Sequence, residues 1–245
     1  TILGCGYGKK VIYKAFLKNK NYKIVDIISP RKLNISSEKA SPLSLEVKKI
    51  FYSDYSDCIV IAAPPSLQYE LLKHCVLGNK CFICEKPFNL DLLKAEKVHN
   101  DIIKYNLKCA VGYQFRYDPF ILTVENIIKE LNLTCYDNID IKWHSSGSLS
   151  KEKILSWRDS KRESYGVLSE WCSHVFDYVK FLTGLRFREI SCKASSNVKF
   201  RKDINGEYFP VDTPDELRIK SKLDFDTKCD ISINTASLKE NFHSI

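Results

Sequence analysis

The feature that most constrains this chain is its opening. An apolar run, Thr1-Ile2-Leu3, passes directly into Gly4-Cys5-Gly6-Tyr7-Gly8 and then into a segment with helical periodicity, Lys9 to Asn19. A strand that turns through glycines into a helix is the setting in which a glycine string becomes a phosphate loop. The glycines let the backbone approach a pyrophosphate, and the helix start supplies N–H donors and a positive dipole. The spacing here is GxGxG, one residue shorter than GxGxxG, so an ordinary tight turn between strand and helix stands as the alternative.

The rest of the first 112 residues keeps the same rhythm. Short apolar runs (Lys23 to Ile28, Cys58 to Ala62, Cys81 to Cys84, Lys108 to Val111) alternate with helical stretches (Ser66 to Leu77, Leu90 to Tyr105), while Pro30 to Lys39 is turn-rich. That is the signature of βαβ units on a parallel sheet, with Ser66 and Asn89 as N-cap candidates. After Gly112 the pattern changes. Helices are expected at Pro119 to Leu131 and Leu168 to Leu182, around a long polar loop from Ser145 to Tyr165. Alternating strands are expected at Asp137 to Trp143, Glu189 to Val198, Glu216 to Phe225 and Lys228 to Thr235. The sequence therefore predicts an α/β chain: a doubly wound parallel sheet over residues 1–112, then an α+β domain over 113–245 built on a mostly antiparallel open sheet.

Composition narrows the function classes. The chain carries 38 basic and 30 acidic residues, net +8, but its lysines (Lys94, Lys97, Lys104, Lys108) alternate with acids along whole helices. A solvated face has that pattern; a basic stripe does not, so no nucleic-acid partner is expected. No apolar run approaches the roughly 18 to 20 residues that span a bilayer, so no membrane partner is expected. Ten cysteines scattered through apolar segments read as small hydrophobes of a reducing cytoplasm. Cys81 and Cys84 lie in a strand-like run that sends them to opposite faces, which argues against a metal site.

Four further motifs carry chemistry. At the end of the second strand, where an acid would hold a ribose 2′-hydroxyl, the chain reads Ser29-Pro30-Arg31-Lys32. A hydroxyl and two cations suit a 2′-phosphate, a lean toward NADP over NAD, against a plain charged turn. Ala62-Ala63-Pro64-Pro65 ends the third strand, on the edge where α/β sheets bind ligands. Cys84-Glu85-Lys86-Pro87 ends the fourth, with two charges emerging from an apolar strand. Glu170 and His174 stand four apart in a helical stretch, either as a surface pair or as a carboxylate and imidazole that relay a proton with a lysine.

Together with Gly112-Tyr113-Gln114-Phe115-Arg116-Tyr117, these motifs resemble, in order and spacing from Ile2 to about Gly184, the glucose-fructose oxidoreductase and inositol dehydrogenase family. The resemblance implies an NAD(P)-dependent oxidoreductase that interconverts a secondary hydroxyl and a ketone on a sugar, cyclitol or nucleotide-linked sugar. A cofactor-binding sensor, a non-catalytic family member and a reductase of non-sugar substrates are the alternatives. Catalysis would fall to Lys86, His174 and Glu170. The cofactor would meet Gly4, Cys5, Gly6, Tyr7, Gly8, Ser29, Arg31, Ala63, Pro64, Pro65, Glu85, Lys86 and Gln114. Arg116, Tyr117, Trp157 and Arg158 would face the substrate, with no metal involved, and the open sheet would pack a homodimer or homotetramer. The chain departs from the family in its short glycine spacing, the missing second-strand acid, Glu170 in place of aspartate, a single glycine at Gly166 and a shorter second domain.

Overall fold

Five short runs of Ile, Leu, Val and Cys become one parallel sheet, because residues apolar on both faces are stable only when covered on both. In the computed structural model, which describes residues 1–33, 44–150, 152–238 and 241–245, the chain divides into two units, Thr1–Gly112 and Tyr113–Ile245. The first unit begins with β1 (Ile2–Leu3), a π-helical turn (Gly8–Ile12) and α1 (Tyr13–Leu17). It continues through β2 (Ile27–Ile28), α2 (Leu45–Tyr52), β3 (Cys58–Ile61) and α3 (Pro65–Leu77). It ends with β4 (Cys81–Glu85), α4 (Leu92–Lys104) and β5 (Cys109–Gly112).

The sheet order is β2-β1-β3-β4-β5, all parallel, so the strand order reverses between β1 and β3. This is a Rossmann-type doubly wound sheet, with its switch point where the glycine turn leaves β1. Leu3, Ile59, Ile61 and Phe82 of the strands pack with Ile50, Phe51, Leu71 and Leu72 of the helices. Each such side chain, fully buried, stabilises by roughly 1.5–3 kcal/mol. The register pairs Leu3 with Ile28 and Ile61, Ile61 with Cys84, and Glu85 with Gly112. Gly4, Ser29, Ala62 and Glu85 are thereby brought level along one carboxyl edge.

Local differences from expectation have local causes. β2 is shorter than Lys23 to Ile28 because β1 offers partners only at Ile2 and Leu3, and the Asp26 carboxylate accepts from Ile27 N–H at 2.7 Å. α2 was not expected, although Ser44 caps it by accepting from Val47 N–H at 3.2 Å. Within the turn-rich stretch, Pro30–Leu33 is a 3₁₀ turn, and residues 34–39 lie outside the described residues. Asp91, not Asn89, caps α4, and α3 starts one residue before Ser66 with Pro65 at its first position, where a missing N–H costs nothing.

The second unit holds α5 (Pro119–Glu130), β6 (Asn138–His144), α6 (Ser173–Thr183) and β7 (Phe187–Ser195). A hairpin, β8 (Phe200–Lys202) and β9 (Tyr208–Pro210), precedes β10 (Glu216–Leu223), β11 (Lys228–Asn234) and β12 (Phe242–Ser244). The main sheet runs β12-β6-β11-β10-β7 and is antiparallel except between β6 and β11. Leu217, Ile219 and Leu223 of β10 point at Ile121 of α5 and at Val175, Tyr178 and Val179 of α6, and Arg218, Lys220 and Lys222 are exposed on the other face. β7 stops before Val198 because Asp215 takes the N–H groups of Asn197 and Val198. The segment expected as a polar loop, Ser145 to Tyr165, instead buries Ser148, Asp159 and Ser164. Among the described residues no helix is long and apolar enough to cross a membrane.

Candidate functional site

The three glycines of the β1 turn divide three tasks. Gly4 adopts φ +156°, and a Cβ there would stand 2.3 Å from the Ala62 carbonyl oxygen; at buried Gly8 a Cβ would stand 2.9 Å from Ile2 Cγ2. Gly6 is exposed, with nothing within 4 Å of a Cβ position. A tight turn, close packing of helix on strand and an open place for backbone to meet a pyrophosphate are what such a loop requires of its glycines. The short spacing keeps all three tasks: the Gly8 carbonyl accepts from Tyr13 N–H, five residues on, and the helix opens as a π turn. These residues fit a dinucleotide, with Gly6 facing free space between exposed Cys5 and Tyr7.

Ser29 closes a tight turn, its carbonyl accepting from Lys32 N–H at 3.0 Å, and Arg31 is exposed. Asp26 is used up inside the unit by Ile27 N–H and by the Tyr55 hydroxyl at 3.4 Å. Ala63 is buried at the end of β3, and Pro64 and Pro65 lead into α3. At the end of β4 the Glu85 carbonyl accepts from Gln68 Nε2 at 2.9 Å. Burial raises the Glu85 carboxyl above its ordinary value, and the charge of Lys86 works against that shift. A Cβ on Gly112 would stand 3.1 Å from Glu85 Oε1, so a side chain there would press that carboxylate aside by a few tenths of an ångström. The Lys86–Pro87 peptide is cis. Gln68 was missed by sequence reasoning; its signal is an amide among the buried Leu71, Leu72 and Cys75 of one helix.

In the second unit, Glu170 lies in a π turn (Leu168–Cys172) that leads into α6, and its carboxylate pairs with the Arg158 guanidinium. Arg158 in turn sits over the Trp157 ring, 4.3 Å from its centroid. His174, 3% exposed, meets Phe115 at 4.4 Å and Tyr113 at 6.0 Å between ring centroids. Arg116, in the 3₁₀ turn Gln114–Tyr117, forks onto Asp177 of α6 at 2.8 and 2.6 Å, while Tyr117 is exposed. The hydrogen bond to Asp177 raises the Arg116 guanidinium further, so this cation stays charged and fixed. Trp157, Arg158 and Glu170 thus form one group, and His174 forms another with the Gln114 segment.

Arg158 and Glu170 line a cavity of about 310 Å³ shared with Lys153, Asp159, Arg201 and Asp215; His174 is not among its lining residues. Its floor is a buried ion pair, Arg201 Nε to Asp159 Oδ1 at 2.8 Å, each side chain 6% exposed. Sequence reasoning missed this pair, which joins residues 42 positions apart.

Residues 1–113 match the model of a family described as "Oxidoreductase family, NAD-binding Rossmann fold", that of glucose-fructose oxidoreductase and inositol dehydrogenase. The match covers the first unit, a little under half of the chain. An uncharacterised oxidoreductase of Synechocystis is 23% identical over 97% of the chain and 65% of its own length. Inositol 2-dehydrogenase of Rhizobium meliloti is 24% identical over 86% of the chain and 62% of its own length. Among solved structures, levoglucosan dehydrogenase in complex with NADH and L-sorbose matches with TM-score 0.72 at 19% identity, covering 82% of this chain and 54% of that one. A super-repressor mutant of Gal80p from Saccharomyces cerevisiae matches with TM-score 0.78 at 19% identity, over 98% of this chain and 69% of that one. At these identities the structural matches show the fold, and the chain spans a little under two thirds of the length of the two curated relatives.

Proposed function

We propose that the chain is the core of an NAD(P)-dependent oxidoreductase that interconverts a secondary hydroxyl and a ketone on a sugar, cyclitol or nucleotide-linked sugar. The observation that carries this reading is the β1 turn, whose three glycines keep their separate tasks on the edge where Lys86 emerges. When bound, the nicotinamide dinucleotide supplies the hydride acceptor or donor. Lys86 hydrogen-bonds the cofactor ribose and the substrate hydroxyl and His174 exchanges the hydroxyl proton, while Glu170 is held by Arg158. Ser29 and Arg31 take the ribose 2′-phosphate, which makes NADP the preferred form. The second unit carries the substrate and, through its open sheet, a homodimer or homotetramer in a reducing cytoplasm, in keeping with ten unbridged cysteines.

Titration with NADH and NADPH, each followed by nicotinamide fluorescence, tests cofactor binding, and binding of neither refutes the reading. Lys86→Ala is expected to bind cofactor normally and to lose turnover of a polyol panel by at least about 100-fold, the scale of an acid–base contribution; unchanged turnover refutes the catalytic assignment. A second reading, a cofactor-binding sensor without turnover, is favoured by Glu170, whose carboxylate is engaged by Arg158. It predicts saturable dinucleotide binding with no turnover of any polyol.

A further inference from the structure

We propose that the cavity of the second unit receives the anionic group of an acidic sugar, a carboxylate or a phosphate, with Lys153 as its counter-charge. This deepens the reading that the second unit carries the substrate, and rests on it.

The cavity has three carboxylates, and each is already engaged. Asp159 gives Oδ1 to Arg201 and accepts at Oδ2 from the Ser156 N–H and hydroxyl, both at 2.9 Å. Asp215 accepts from Asn197 N–H, Asn197 Nδ2 and Val198 N–H between 2.8 and 3.0 Å. Glu170 is held by Arg158. The two guanidiniums are likewise placed, with Arg201 also donating to the Ser148 carbonyl at 2.8 Å and to the Lys153 carbonyl at 3.4 Å. The hydroxyls of Ser148 and Thr235 bond each other at 2.8 Å, and Thr213 donates to the Arg158 carbonyl.

The remaining charge on the lining is the Lys153 ammonium, which among the described residues forms no ion pair with a carboxylate. It is half-buried, and burial first, then the charge of Arg201, pushes it below its ordinary value; Arg158 adds to this, while Asp159 and Glu170 oppose it. A partly desolvated cation beside two guanidiniums is stabilised by an incoming anion, whereas a neutral sugar leaves it as it was. The cavity volume falls at the small end of the roughly 300–1,000 Å³ range of small-molecule sites, the size for a monosaccharide.

The test is calorimetric titration of the whole chain, without dinucleotide, with D-glucuronate, D-glucose 6-phosphate and D-glucose. At least one acidic sugar is expected to bind about tenfold or more tighter than glucose, the scale of one charge-assisted contact; whichever acid leads identifies the group as carboxylate or phosphate. Lys153→Gln is expected to erase the preference and Lys153→Arg to keep it. In the wild-type chain, acid binding is expected to weaken as pH rises into the range where the lowered Lys153 loses its charge. Equal binding of glucose, no binding of either acid, or a preference retained in Lys153→Gln overturns the proposal. A chain that binds NADH but neither acid refutes this inference and leaves the proposed oxidoreductase standing; one that binds an acid through Lys153 but no dinucleotide does the reverse.

Discussion

Along the carboxyl edge of the first unit the chain presents Gly4, Gly6, Ala62, Ala63, Pro64 and Pro65, and among its described residues the buried polar ones are Thr1, Ser56, Gln68 and His74, none of them a carboxylate, lysine or arginine. In the second unit Arg201, Asp159 and Asp215 are all less than a tenth exposed, and with Lys153, Arg158 and Glu170 they wall a cavity. On the proposed function, the contrast follows from what each unit would recognise. A pyrophosphate is met by main-chain N–H groups, which every residue has, so the side chains need only stay away. A polyol is told from its isomers by directed side-chain groups, and those must be held in place by partners of their own.

The largest effect should come from breaking the scaffold of that wall. Arg201→Ala leaves Asp159 buried without its cation, and removing one partner of a buried pair costs about 3–5 kcal/mol. Urea melts of the second unit are expected to show that loss, and a double replacement, Arg201→Met with Asp159→Leu, to recover much of it. Equal stability of Arg201→Ala and wild type would mean the pair is not the scaffold of the cavity.

Next is the glycine turn. Gly4→Ala forces a Cβ toward the Ala62 carbonyl at a φ that side chains rarely adopt, a loss of about 2–3 kcal/mol. Gly6→Ala meets no neighbour, so its stability should stay within about 0.5 kcal/mol of wild type. Its dinucleotide affinity should nevertheless fall by about tenfold or more, as the methyl fills the space the pyrophosphate needs. Calorimetric melts paired with NADH titrations separate the two; loss of stability at Gly6, or its unchanged affinity, would merge tasks that the geometry keeps apart.

The same contrast explains how much was legible beforehand. The parallel unit follows from local patterns: apolar runs of strand length, a glycine turn directly after the first, and Glu85-Lys86 leaving the fourth. Even α2 had its signal, with Ser44 three residues before Val47 and apolar Val47, Ile50 and Phe51 on one face, but it follows a turn-rich stretch. The second unit is harder because its order rests on distant partners. Nothing local says that Ser145 to Tyr165 buries an aspartate, since Asp159 is held by an arginine beyond the next two elements. Glu170 and His174 were legible as a spacing, yet the spacing does not tell that Arg158 takes the one and Phe115 with Tyr113 surrounds the other.

The smallest effect concerns two imidazoles, buried His74 in the first unit and half-buried His243 in the second. His74 lies on α3 with Nδ1 2.7 Å from the Tyr52 hydroxyl; burial lowers its pKa, Lys73 adds to that, and Glu70 opposes it. His243 lies on β12, stacked 4.3 Å from Trp143 with Nε2 3.1 Å from the Tyr178 hydroxyl; burial lowers it and Asp118 opposes. Both start from an ordinary value of 6.5, so between that value and the lower folded one the unfolded chain binds more protons. The stability they contribute is therefore complete above about pH 6.5 and is lost as pH falls through the folded values. Urea midpoints taken from pH 7.5 to 5 should fall on the acid side by less than the Gly4 effect. His74→Gln should flatten that slope whatever it does to the plateau, and His243→Gln should do the same independently, because the two rings belong to separate cores. A slope unchanged in both variants would assign the acid limb to carboxylates instead, with Glu85 excluded as its source. The Glu85 carboxyl is raised, so protonation in acid favours the folded state and would move the midpoint the opposite way.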